Sequence, residues 1–466
     1  MRQKDKNFDR FDKYVTNDIP MRLIRLSDMS LVDRDGVREH FRSSIRKEEF
    51  YNPLYHVRYA ILSHRWLPQG EPTYKEMGAG TATGPGYEKL KKFCEKAREY
   101  KMEFAWSDTC CIDKSNSTEL DESIRSMFRW YKNSAICIIH LAQSKTVDDI
   151  ADDEWMTRGW TLQELLAPDK VKFFNEDWEP MTDKRNDKGY ERTDIMEALE
   201  SATGIPHDDL FRFAAGPHKV DTRMTWAAKR MTTRAEDMAY SLMGIFNVSL
   251  PIAYGEGGDR AFCRLVEAII QSGDPSVLNW RGEPADHRTS RVIPRSPQSF
   301  VDHRDLNLDG VQLEMTMTNL GLRVSVIVLP LNLNPVRDGG GQYAYTFECP
   351  LCTTVRLDIH TPSWIATPHQ YAIGILNYSL FDDGSRQVLG VRGRSAGFIL
   401  SRTKDRFYTP RRTKAVVLDT VAPPERKFGQ WRIASFHAGL VEVDFPGILG
   451  SSMFYMNRRY LQTVYL

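Results

Sequence analysis

Nowhere is this chain of 466 residues apolar for long enough to span a membrane, since a spanning helix needs about 20 predominantly apolar residues in succession. Its opening, MRQKDK, is too polar for a secretory signal. An excess of either charge is also missing. Lys and Arg number 63 against 62 Asp and Glu, a formal charge of +1, so no global field draws the chain to nucleic acid or to an anionic membrane. Cysteines are few and odd in number, seven scattered along the chain, which argues for reduced thiols in the cytoplasm over a disulfide framework. Metal-ligand spacing is absent too: Cys349 and Cys352 form a lone CxxC without a second pair, and Cys110 and Cys111 are adjacent. What is present, 41% hydrophobic and 27% charged residues, is the composition of a globular protein with room for two or three domains.

The apolar pattern divides the chain. Residues 1–20 are charged and aperiodic, as in a flexible arm. From 21 to about 280, short apolar runs alternate with helical periodicity. Residues 59–63 are continuously apolar up to Ser63, as expected of a strand buried on both faces. Segments 104–108, 135–140 and 171–174 read as further strands, and 87–100 as a helix. The glycine-rich stretch 78–86 lacks the lysine and fixed spacing of a phosphate loop and reads as a surface loop. Thr118 to Asp121 has the form of a capping box, after which Leu120, Ile124, Met127, Phe128 and Tyr131 recur along one helical face. Strand and helix alternating over about 55–180 predict a parallel sheet flanked by helices, with right-handed crossovers. Residues 190–280 look helical, with a second capping box at Thr233 to Glu236. From 285 to 466 the runs become short and β-branched, separated by turn signals, among them 322–329, 343–347, 354–359, 371–376, 396–400 and 415–418. These predict a β-rich domain of the sandwich kind, with no catalytic constellation in it.

In parallel sheets ligands collect outside the carboxyl ends of the strands. His64, Arg65 and Trp66 follow the first strand here and Asp108 the second, so polar and aromatic groups gather where such a sheet holds a ligand. The segment RGWTLQELLAP (158–168) adds a single carboxylate, Glu164, among Trp160, Leu162, Leu165 and Leu166 at helical spacing, with Pro168 ending the helix. An acid so placed is either structural, paired with a base such as Arg158, or kept for chemistry. The other residues have bland readings as well: His64 and Arg65 as ion-pair partners of Asp108 or Glu122, both tryptophans as core, Asp113 and Lys114 as loop-fixing residues.

The order YAILSHRW (59–66), WSDTCCIDK (106–114), SMFRWYKNSAICIIHL (126–141), RGWTLQELLAP (158–168), TTRAEDMAYSLMGIF (232–246) and YGEG (254–257) closely resembles the fungal heterokaryon incompatibility (HET) domain. The opening MRLIRL (21–26) is similar to that family's first strand. The resemblance covers about residues 20–280 and does not reach the β-rich tail. HET domains in turn look like remote relatives of Toll/interleukin-1 receptor (TIR) domains. Residues 59–64 resemble the TIR opening strand, and WTLQEL (160–165) is similar, position for position, to the TIR helix motif WCLDEL, with Thr161 in place of its cysteine. That likeness implies a TIR-like, flavodoxin-like sheet. It also implies that Glu164 is the residue of NAD⁺ cleavage, with NAD⁺ as substrate, no cofactor, no metal, and self-assembly on activation.

The residue types suit that chemistry. Breaking the nicotinamide–ribose bond passes through an oxocarbenium-like state of the kind glycosidases stabilise with carboxylates. Nicotinamide leaves neutral, so one acid, Glu164, suffices to face the developing charge. Arg65 could meet a phosphate, Trp66 and Trp160 could stack on a ring, and Asp108 could bind a ribose hydroxyl. Two functions follow from the resemblance: an NAD⁺ glycohydrolase that triggers cell death, or a non-catalytic death-signalling module that assembles through its HET domain while the β-rich tail senses a protein partner. An acid held in the WTLQEL frame favours the enzyme, because a scaffold does not require one.

Overall fold

A computed structural model describes residues 3–45, 57–286, 290–303, 306, 308, 311–336, 343–352, 355–361, 365, 369–382, 387–403, 430–435, 439–445 and 453–466. The chain forms two compact units, one of residues 1–216 with 229–261, the other of 217–228 with 262–466. The expected strand at 415–418 lies outside the described residues.

The first unit is built on a six-stranded sheet. Its elements begin with helix α1 (Gln3–Asn17), strands β1 (Arg22–Arg25) and β2 (Ser30–Asp33) and helix α2 (Arg34–Ile45). The central strand β3 (Tyr59–His64) follows, then helices α3 (Tyr74–Ala79) and α4 (Pro85–Glu99) and strand β4 (Phe104–Trp106). Helix α5 (Ser117–Asn133), strand β5 (Ile136–His140), helix α6 (Thr161–Leu166) and strand β6 (Val171–Phe174) complete the core. The strand order is β2-β1-β4-β3-β5-β6. Strands β4, β3, β5 and β6 run parallel, while the β1–β2 hairpin is antiparallel and adds to the β4 edge. The sheet is therefore mixed rather than wholly parallel, because two strands joined by a tight turn can only pair antiparallel.

Every residue of β3, β5 and β6 is buried, which is why their sequences read as unbroken apolar runs rather than alternating ones. Beyond β3 the chain crosses to β4 on one side and then returns to β5 on the other. That reversal makes a crevice at the carboxyl ends of the strands, where a ligand can enter.

Two local expectations change. The N-terminal residues are helical, not a flexible arm. Asn7, Phe11, Tyr14 and Val15 recur at helical spacing and are buried, an amphipathic stripe obscured in sequence by the Asp, Lys and Arg between them. Neither capping box forms. Asn116 caps α5, its side chain accepting from the Thr118 and Glu119 N–H groups, and Glu119 turns back to pair with Arg22. Glu236 precedes the four-residue helix Asp237–Tyr240 in a helical conformation, and its carboxylate accepts from Gly255 and Gly257 N–H instead.

The second unit is β-rich. Its 16-residue strand Gly321–Val336 pairs with Met315–Thr318, Tyr343–Glu348, His369–Ile375 and Leu461–Tyr465, antiparallel throughout. These strands belong to a nine-stranded sheet, and Tyr378–Asp382, Gln387–Arg392 and Met453–Asn457 form a three-stranded one. Ile327, Ile373 and Ile399 of the large sheet share a core with Leu389, Val391 and Met456 of the small one, two layers closing over one apolar interior. Cys349 is buried in that interior as a free thiol.

Candidate functional site

Three short segments meet at the carboxyl ends of the parallel strands. Glu164 stands on α6, a helix of six residues all buried. The end of that helix is fixed by Lys188, whose Nζ donates to the carbonyls of Leu165, Leu166 and Pro168 at 3.1, 3.0 and 2.8 Å. A cation at the carbonyl end of a helix complements its dipole, and burial of this one pulls the ammonium down to about 7.

Ser63, the penultimate residue of β3, donates its hydroxyl to Glu164 Oε2 at 2.5 Å and accepts from Trp155 Nε1 at 2.8 Å. The expected partner Arg158 does not supply this bond. Burial drives the Glu164 carboxyl up to about 8, with the bond from Ser63 opposing, the negative Asp108 adding to the rise, and Arg158 and Tyr131 opposing it. Carboxyls shifted by burial beside a specific partner gather at functional sites, which makes Glu164 the candidate acid of this one.

Asp108, just past β4, accepts from His64 at 3.2 Å and from Trp66 Nε1 at 2.9 Å. Burial alone would raise its carboxyl, but the bond from His64, the charge of Lys114 and the bond from Trp66 hold it down at about 2. It is therefore the permanent negative charge of the site. Burial and the nearby Lys89 lower the His64 ring below its ordinary range, against the pull of Asp108, and its Nδ1 is buried without a hydrogen-bond partner.

His64, Trp66, Asp108, Trp160 and Glu164 line one cavity of about 320 Å³. Arg65 does not line it. Side chains alternate along an extended chain, so Arg65 between His64 and Trp66 points elsewhere and pairs with Glu154 at 2.6 Å. Glu122 pairs with Arg34.

The opposite wall of the cavity comes from motifs to which the sequence assigned no site role. Thr232, Arg234, Asp237 and Tyr254 line it. Tyr254 donates to Asp237 Oδ1 at 2.8 Å, and the Arg234 guanidinium lies 4.0 Å from the Tyr254 ring centroid. Burial raises the Asp237 carboxyl, with hydrogen bonds from Tyr254 and Trp160 opposing. Their signal in the sequence was the pair of motifs TTRAED and YGEG. Their meeting with Glu164 depends on Gly159, whose N–H donates to the Met231 carbonyl at 2.8 Å. A Cβ at Gly159 would overlap the Thr232 methyl group, so with Thr232 in place only glycine permits this approach. Lys114, read as a loop-fixing residue, also reaches the cavity, with its Nζ 3.7 Å from the Trp66 ring centroid.

The heterokaryon incompatibility protein (HET) family matches residues 59–148, a span that carries His64, Trp66 and Asp108. Vegetative incompatibility protein HET-E-1 of Podospora anserina is 44% identical over 269 residues, 55% of this chain and 19% of that protein. The chain carries a HET domain. It spans only about a fifth of the length of that curated relative. No solved structure matches the chain. The matched segment supplies one wall of the cavity, and the segments from 158 onward supply Glu164 and the other. Among the described residues no group of three or more His, Cys, Asp or Glu side chains could hold a metal ion, and no helix is long and apolar enough to cross a membrane.

Proposed function

We propose that the HET domain is an NAD⁺ glycohydrolase that acts in the cytoplasm as a cell-death effector of vegetative incompatibility. The observation that carries this reading is the buried Glu164 carboxyl, held by Ser63 in a cavity walled by Trp66 and Trp160. At about 320 Å³ the cavity lies at the small end of ligand pockets, about 300–1,000 Å³, and suits the nicotinamide–ribose half of the substrate. Trp160 offers a ring to stack on nicotinamide. The pyridinium brings a positive charge against Glu164, and a nearby opposite charge favours the ionised carboxyl. The carboxylate then faces the oxocarbenium as the bond from C1′ to the pyridine nitrogen breaks. That electron pair leaves with neutral nicotinamide, and water adds at C1′ to give ADP-ribose and one proton. Removing a cofactor pool in this way suits the incompatibility role that the relative's name describes.

The test is incubation of the full chain with NAD⁺ at high protein concentration, where self-assembly is favoured, with nicotinamide release as readout. Nicotinamide from wild type and none from Glu164→Gln supports the reading. Absence of nicotinamide from an assembled, folded wild type overturns it.

A further inference from the structure

A second cavity of about 480 Å³ adjoins the first, and the two share Trp66, Ile112 and Lys114 as a common wall. We infer that this second lobe seats the adenosine-phosphate half of the dinucleotide, with Lys114 at the partition facing the pyrophosphate. The assignment rests on the NAD⁺ reading for the first cavity and adds the subsite that reading lacks.

Three observations support it. The first cavity is small for a whole dinucleotide, and the neighbouring cavity that shares Trp66 with it supplies the missing volume. The second lobe is walled by Pro72, Tyr74 and Ile112 together with Trp66, flat and apolar groups suited to a purine. Tyr74 is held in place by the Arg22 guanidinium 4.3 Å from its ring centroid. The charge in the lobe also fits an anion. Its two carboxylates are engaged within the protein, Glu71 by Lys89 and the Leu67 N–H, and Asp113 by the N–H and hydroxyl of Ser115. Lys75 and Lys114 line the same wall and supply the positive side of the balance. An aromatic platform beside two ammonium groups matches a nucleotide phosphate rather than a neutral sugar or an apolar ligand.

Trp66 is the hinge of this arrangement. Its indole is tied to Asp108 and its ring carries Lys114, so the partition between the lobes is also the anchor of the site's fixed negative charge. A dinucleotide would therefore lie across Trp66, its cleavable half toward Glu164 and its phosphates at Lys114.

The test uses the full chain and AMP as the probe, with affinity read by titration calorimetry and folding checked by thermal melting. AMP should bind wild type. Ser115→Trp, which fills the lobe from an exposed position, and Lys114→Gln should each weaken it tenfold or more, with Lys114→Arg restoring most of the affinity. Equal affinity for wild type and Ser115→Trp, or no binding of AMP to wild type, overturns the assignment. Nicotinamide release from NAD⁺ is measured on the same samples. AMP binding with this pattern but no nicotinamide release sinks the cleavage reading and leaves the nucleotide lobe. Nicotinamide release with AMP indifferent to both substitutions does the reverse.

Discussion

Ser63 Oγ and Glu164 Oε2 stand 2.5 Å apart, joining the central strand of the sheet to a six-residue helix 101 positions later in the chain. The same hydroxyl accepts from Trp155 Nε1, so one small side chain holds both the candidate acid and a fully buried indole.

Ser63→Ala removes both bonds. The Trp155 N–H is left unsatisfied in the interior, which costs about 1–3 kcal/mol, read as a lower midpoint in denaturant. Because the bond from Ser63 opposes the rise of the Glu164 carboxyl, the acid should move further up. Any pH profile governed by Glu164 should shift to higher pH in this variant, and an unmoved profile would show that Ser63 does not act through Glu164.

The raised Glu164 also ties stability to pH. Its ordinary value is 4.5 and its folded value about 8, so between these the folded state holds a proton that the unfolded chain has released. Stability from this group therefore falls as pH rises through that window. Lys188 is lowered and contributes in the opposite direction, but it is common to wild type and Glu164→Gln and cancels in their difference. The Gln variant should gain on wild type in denaturant midpoint from pH 5 to pH 9. A difference that stays flat across that range would place Glu164 in a wetter or better-paired setting than the structure gives it.

At Gly159 the constraint is steric. Gly159→Ala forces a methyl group against Thr232, and overpacking of this kind costs about 1–3 kcal/mol. Thr232→Ser removes the clashing methyl while keeping the hydroxyl that donates to the Arg234 carbonyl. The double variant should recover most of the lost stability, a coupling that a double-mutant cycle measures directly. If the two changes simply add, the close approach of these segments is wrong.

How much of this was legible beforehand follows the range of the interactions. Strands 59–64 and 171–174 are buried on both faces, so their apolar runs announce them, and the face of α5 reads from its own spacing. The cluster of His64, Trp66, Asp108 and Glu164 could be placed because topology alone sends strand ends to one edge. Arg65 was misplaced because the alternation of side chains continues past the end of β3, which a list of neighbours in sequence ignores. Ser63, Trp155 and Asp237 were out of reach for another reason. Each meets the site only through packing between segments tens of residues apart, and nothing in a serine's own neighbourhood says that a glutamate will arrive beside it.

Glu164→Gln is the decisive substitution. It preserves volume and an acceptor for Ser63, so the domain should fold with a change of less than about 1–2 kcal/mol at neutral pH, where much of the wild-type carboxyl is already uncharged. What it removes is the ability to ionise when a cation enters the cavity. Loss of one preorganised group facing charge in the transition state costs on the order of 10²-fold or more in rate. Nicotinamide release should fall by at least that factor with little change in KM, since the amide still fills the site in the ground state. The wild-type kcat/KM should rise with pH through a midpoint near 8, where half of the free carboxyl is ionised, and level off above it, and the residual activity of the variant should lack that limb. A Gln variant that keeps the wild-type rate and pH profile would make Glu164 a structural acid. Folded proteins of both kinds that release no nicotinamide yet still kill cells would point to assembly of the HET domain as the death signal.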